Sequence, residues 1–234
     1  MDLEFCDQVA YSAPSNSKNE KFRNSTDLAR FYDGIAKTAY SFFEKALQQV
    51  PCEAPLTQRY SLVSNCSNCS EAYKEWLCSV TIPRCEDFSN TAKYLHPRGI
   101  YQPFPDGSRL SPEVLAEFKN TSLSSFTSSR NPRIDEEIKP GPYKELLPCD
   151  DLCYKLVQTC PSSMGFSCPL PGDKYGFEGS YHTRAKNGEL TCNFQGSMHV
   201  KSGTRRSAMV TSSSWGLLLS SLAVSMAGCW IPWS

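Results

Sequence analysis

The side chains of this sequence that could do covalent or metal chemistry in quantity are its twelve cysteines. Eleven precede residue 200, and Cys229 stands alone in an apolar tail. In one run three residues separate Cys149 from Cys153 and six separate Cys153 from Cys160, with Cys168 following. In an earlier run eight separate Cys69 from Cys78 and six separate Cys78 from Cys85. Thiols this dense bind metal in a reducing compartment or pair in an oxidising one. Cys66 and Cys69 offer a zinc half-site, but no second pair follows at finger or ribbon spacing. Pairing is therefore the expectation. On a helix Cys69 and Cys78 lie about 13 Å apart along the axis, beyond disulfide reach, so each must bond another segment.

Other chemistry has little to stand on. His96, His182 and His199 sit in no His-Glu-x-x-His pattern, and no Gly-x-Ser-x-Gly elbow occurs. Asp135-Glu136-Glu137 and Asp150-Asp151 lack the alternating spacing and glycine of a calcium loop. The first reads as a solvated run and the second as a helix start, where negative charge suits the dipole. Lys+Arg and Asp+Glu both number 24, so nothing global points to nucleic acid. A secreted hydrolase would rest on compartment alone, and a single apolar segment offers no ring of ligands for a pore. The reading is a non-enzyme with no catalytic residue, cofactor or metal.

The elements that must position the cysteines are mostly helical. Residues 27–50 place Leu28, Phe31, Tyr32, Ile35, Ala39, Phe42, Phe43, Ala46, Leu47 and Val50 at three- and four-residue steps, with Thr26 or Asp27 as cap and Pro51 as stop. That stripe is expected to face the core. A second helix is expected over 70–80 and a short one from Ser111-Pro112. Another starts near Asp150, with Cys153, Leu156, Val157 and Cys160 on one face. Residues 96–111 and 120–142 read as exposed loops, the second a long surface insertion. Both are candidate docking faces through Tyr101, Phe104 and Ile134. Residues 169–195 read as irregular.

Four Asn-x-Ser/Thr sequons at Asn24, Asn65, Asn68 and Asn120 agree with an oxidising lumen. Cys66 and Cys69 are the middle residues of two of them, so early pairing there would compete with glycan transfer and favours Asn24 and Asn120. The start, Met1-Asp2-Leu3-Glu4-Phe5, is not a signal peptide. The expectation is the C-terminal part of a longer secreted protein. At the other end, Ser202-Gly203-Thr204 precede a polar spacer (205–214) and an apolar terminus (215–234). That is the order of a glycolipid-anchor signal, with Ser202 and Gly203 as the attachment site. The alternative is a membrane span. The division expected is a cysteine-rich extracellular domain over 1–195, a linker over 196–214 and the tail.

The spacing Cys69-x8-Cys78-x6-Cys85, followed by Cys149-x3-Cys153-x6-Cys160, resembles the Frizzled-type cysteine-rich domain. The runs Phe5-Cys6-Asp7-Gln8-Val9-Ala10-Tyr11, Ala72-Tyr73-Lys74-Glu75-Trp76-Leu77-Cys78 and Pro140-Gly141-Pro142-Tyr143-Lys144-Glu145-Leu146-Leu147-Pro148-Cys149 look like the cysteine-rich half of the fungal stretch-activated calcium-channel regulatory subunit. The resemblance covers about residues 4–195. It implies a mostly α, disulfide-rich, Frizzled-like fold with long irregular loops. It also implies the pairs Cys69–Cys160, Cys149–Cys192, Cys153–Cys168 and Cys6–Cys85, with Cys78 taking Cys52 or Cys66.

The implied role is a non-catalytic extracellular regulatory subunit of a plasma-membrane, voltage-gated-like calcium channel. Its implied partners are a pore-forming four-repeat subunit, N-glycans, and the membrane through a tail or glycolipid anchor. A different reading is a free-standing lipid- or ligand-binding receptor module on the cell surface, which would need an apolar groove.

Overall fold

A computed structural model describes residues 3–194 except 53, 56, 58, 59, 62, 119–123 and 175. Four α-helices and three short strands alternate with turns: α1 (Ser25–Leu47), α2 (Cys66–Thr81), β1 (Arg84–Glu86), β2 (Leu95–Arg98), α3 (Pro112–Glu117), β3 (Tyr143–Leu146) and α4 (Asp150–Thr159). Helix starts follow side-chain capping. Asn24, not Thr26 or Asp27, accepts the Thr26 N–H, so α1 begins two residues earlier than its apolar stripe implied. Asn65 and Asn68 each accept the other's backbone N–H, and α2 therefore starts at Cys66 rather than at residue 70. Ser111 caps α3 ahead of Pro112.

The main core packs α1 against α2 and the N-terminal segment. Leu28, Tyr32 and Ala36 of α1 meet Leu77 and Cys78 of α2. The stripe of α1 departs from expectation near its end: Phe43 is 5% exposed but its neighbour Phe42 is 65% exposed, and Ala46 is exposed as well. A 23-residue helix outruns the core beneath it, so its last turns carry apolar side chains past the last buried contact. On α4, Leu152, Cys153 and Leu156 are buried while Val157 points to solvent, which corrects the expected four-residue face.

The sheet was not anticipated. Its order is β1-β3-β2, both pairs antiparallel, with Glu145 of β3 opposite Cys85 on one side and His96 on the other. Leu95–Arg98 is thus a buried edge strand, not the start of a loop, and Pro97 is tolerated because one side of an edge strand needs no ladder donor. Glu145 is 0% exposed. Its two oxygens accept from Arg98 Nε at 2.6 Å and Arg130 Nε at 2.9 Å. Burial alone would raise the Glu145 pKa, but the two guanidiniums outweigh it and hold the carboxyl below the usual range. Arg98 also donates to the Ser125 and Gly179 carbonyls, and Arg130 to the Ser180 carbonyl. One carboxylate thereby ties the sheet to the loops at 125 and 179–180.

Residues 129–142 are core, which corrects the surface insertion expected over 120–142. Ile134 and Ile138 begin and end a π-helical turn, and both are fully buried against α1. Lys139 closes the turn with φ +58° and donates to the Ile134 carbonyl. Asn16 and Asn19 donate to the carbonyls of Lys139, Glu137 and Ile138. Asp135 is not simply solvated, since it accepts the Ser129 N–H at 2.7 Å. Gly141, at φ +77°, passes so close to Pro103 that a Cβ would lie 2.7 Å from its carbonyl oxygen.

Five disulfides join described cysteines: Cys6–Cys78, Cys52–Cys66, Cys69–Cys160, Cys149–Cys192 and Cys153–Cys168. Cys85 is disulfide-bonded too, and no described cysteine is free. Cys6 takes Cys78, not Cys85, and this settles the competition by giving Cys66 to Cys52. Asp33 of α1 accepts the N–H groups of Phe5 and Cys6, which holds Cys6 at the last turn of α2. The N-terminal segment then runs on beside the chain leaving α2. Tyr11 donates to the Ile82 carbonyl, and the Cys85 N–H donates to Ser12. Six residues beyond Cys6 are therefore used before Cys85 is reached. Closing the 72-residue separation contributes about 4 kcal/mol in the chain-entropy model.

Glu145→Ala leaves two buried guanidiniums uncompensated and should cost about 3–5 kcal/mol; an unchanged urea midpoint would contradict this. Burial, with Arg98 nearby, pushes the His96 pKa down to about 3 from 6.5. Between those values the unfolded chain binds the extra proton, so stability rises with pH across that window and is lost as pH falls through it. Urea midpoints measured from pH 7 to 4 should fall less steeply in His96→Gln than in the parent. Among the described pairs, Cys52–Cys66 is the one with neither cysteine buried. Limiting reductant followed by alkylation should label these two first; earlier labelling of Cys69 or Cys78 would refute that order.

Candidate functional site

The helix that carries most sulfur chemistry is α2. Cys66, Cys69 and Cys78 bond Cys52, Cys160 and Cys6, so one 16-residue helix holds the loop after α1, the end of α4 and the N-terminal segment. Helix α4 is flanked in the same way. Cys149 at its N-cap bonds Cys192, Cys153 within it bonds Cys168, and Cys160 at its C-cap bonds Cys69. The sulfurs of Cys66 and Cys69 are thus used, and no zinc half-site exists there. Among the described residues no group of three or more His, Cys, Asp or Glu could hold a metal. His96 is buried, stacked on Phe126 and paired with Ser125, whereas His182 contacts the Thr183 carbonyl. Asp150 accepts from Thr183 and Asp151 pairs with Arg184 at 2.7 Å, so both do more than start a helix.

The modification candidates divide. Asn24, Asn65 and Asn68 are exposed, and each uses its carbonyl oxygen as a cap acceptor. Asn120, Ser202, Gly203, His199 and Cys229 lie outside the described residues. Among the described residues no helix is long and apolar enough to cross a membrane.

Of the docking residues expected from sequence, Tyr101 is 54% exposed on a turn held by the Phe104–Ser108 and Arg109–Tyr101 hydrogen bonds. Phe104 is half-buried. Ile134 is fully buried and cannot touch a partner, because it belongs to the π-helical turn beneath α1.

Sequence reasoning missed a groove of about 760 Å³ at the far end of α1. Its floor is the Phe43 and Tyr73 rings, stacked at 3.8 Å. Phe42 and Ala46 form one wall, Met164 and Phe166 another, and Tyr60 closes the side. The Tyr60 hydroxyl donates to the Thr159 carbonyl at the end of α4. No ionisable acid or base lines it apart from the two tyrosines, and burial raises the phenol pKa of both, which keeps them neutral. The signal available in the sequence was the Phe42-Phe43 pair: adjacent helical residues point about 100° apart, so both cannot enter one core.

A family profile described as "Mid1: Stretch-activated Ca2+-permeable channel component" matches residues 1–198. The stretch-activated cation channel yam8 of Schizosaccharomyces pombe is 40% identical over 204 residues, which is 87% of this chain and 35% of that protein. The stretch-activated cation channel MID1 of Saccharomyces cerevisiae is 36% identical over 197 residues, 83% of this chain and 30% of that protein. Its namesake in Cryptococcus neoformans is 25% identical over 195 residues, covering 78% and 30%. The chain thus spans about a third of the length of these relatives. No solved structure matches it. With the profile covering all but the tail, and with two relatives above a third identity across most of the sequence, the chain belongs to the Mid1 family of stretch-activated Ca2+-permeable channel components.

Proposed function

We propose that this chain is the cysteine-rich part of a non-catalytic, extracellular regulatory subunit of a plasma-membrane, voltage-gated-like calcium channel, and that it supports stretch-activated calcium influx. The observation that carries the reading is the sulfur cross-linking of α2 to three separate segments. Such bonds persist in oxidising, extracellular surroundings, and the family is named for a channel component. The partner is a pore-forming four-repeat subunit, with the Tyr101 turn as a contact. The pairs Cys69–Cys160, Cys149–Cys192 and Cys153–Cys168 support a Frizzled-like arrangement. Glycans on Asn24, Asn65, Asn68 and Asn120, and a C-terminal tail or glycolipid anchor at Ser202 or Gly203, complete the surface reading.

Affinity purification of the full-length protein from mild detergent tests this. A large multi-span cation-channel subunit should co-elute in stoichiometric amount. Its absence from cells that express both proteins at the surface would overturn the proposal.

A further inference from the structure

The groove at the end of α1 belongs to a core that the chain leaves half covered. Phe43, Cys69, Leu156 and Cys160 are buried there, but Tyr73, Met164 and Phe166 around them keep part of their surface in water, and Phe42 keeps most of it. Apolar surface gathered in a concave site marks binding more often than chance exposure does. The walls are fixed in advance. Cys52–Cys66 ties down the loop after α1, Cys69–Cys160 joins α2 to the end of α4, and the Tyr60–Thr159 hydrogen bond spans the two. A site that needs no ordering loses little free energy when it binds.

Charge says what kind of occupant the site suits. The lining is neutral, so the inserted surface must be apolar and uncharged. Along α1, Phe42, Lys45, Ala46 and Gln49 fall three or four residues apart and share one exposed face. The Lys45 ammonium lies 5.5 Å from the Phe42 ring and makes no ion pair among the described residues. The rim therefore offers a cation beside an apolar slot, with the exposed Gln49 and Ser163 side chains able to bond a peptide backbone. A hydrocarbon chain would use the slot but neither the cation nor the polar rim.

We infer that this groove receives an apolar segment, flanked by a carboxylate, from an outward-facing loop of the cation-channel subunit. The inference rests on the proposed function and names a docking site for it. Cation channels carry acidic residues around their mouths, which suits the Lys45 rim.

The test measures channel recovery by full-length protein carrying Ala46→Arg, Phe42→Ser, Lys45→Glu or Lys45→Arg, co-expressed with a tagged channel subunit. The altered side chains are all exposed, so surface delivery and non-reducing mobility should match the parent. Ala46→Arg and Phe42→Ser should each lower recovery roughly tenfold or more. Lys45→Glu should lower it about threefold and Lys45→Arg should not. Parent-level recovery by Ala46→Arg and Phe42→Ser would overturn the groove while leaving the channel role standing. Failure of the parent to recover the channel would overturn the role and the groove together. An acyl lipid extracted from the parent, absent from Ala46→Arg and accompanied by undiminished channel recovery, would make the groove a lipid site and overturn the inference.

Discussion

Sulfur links to α2 are the constraint on which the rest of the structure depends. Three cysteines on one helix reach three segments that would otherwise share no local contact: the N-terminal stretch, the loop after α1 and the end of α4. Their loops differ widely, with sequence separations of 72, 14 and 91 residues. Long closures remove the most freedom from the unfolded chain. That is what lets a chain with many turns and only three-to-four-residue strands keep one arrangement. The sheet and the segment at 129–142 are then locked electrostatically, since Glu145 gathers Arg98 and Arg130 and each guanidinium holds backbone carbonyls from a different loop.

Much of this was legible in the sequence wherever periodicity or spacing carried it. The 3.6-residue rhythm of Leu28, Tyr32, Ala36 and Phe43 marks α1, and Cys69 and Cys78 announce by distance alone that each bonds elsewhere. The strands left no such trace. Arg84, Glu86, Arg98 and Glu145 are charged residues in positions that alternation would read as solvent-facing, and their burial is tolerated only because opposite charges meet across the sheet. The turn at 134–138 was hidden by its own composition. Three consecutive acids look solvated, yet the isoleucines on either side of them are both fully buried. The Cys6 partner was hidden because Asp33, 27 residues away, fixes where Cys6 lies.

The same reasoning separates scaffold from surface. Residues 129–142, charged and proline-rich in sequence, are interior, and the aromatic end of α1, apolar in sequence, is exterior. A helix that extends beyond its core, walled by two disulfide-held segments, gives a neutral slot beside one unpaired cation. The rigid frame matters to that slot because a partner can be gripped without the host first having to order itself.

Disulfide mapping of native, full-length protein by non-reducing peptide mass spectrometry tests the central claim most directly. The account predicts linked peptides for Cys6–Cys78, Cys52–Cys66 and Cys69–Cys160. Alkylatable free thiols at Cys66, Cys69 and Cys78 in the native protein would contradict it, and the cross-linked scaffold would fall with them.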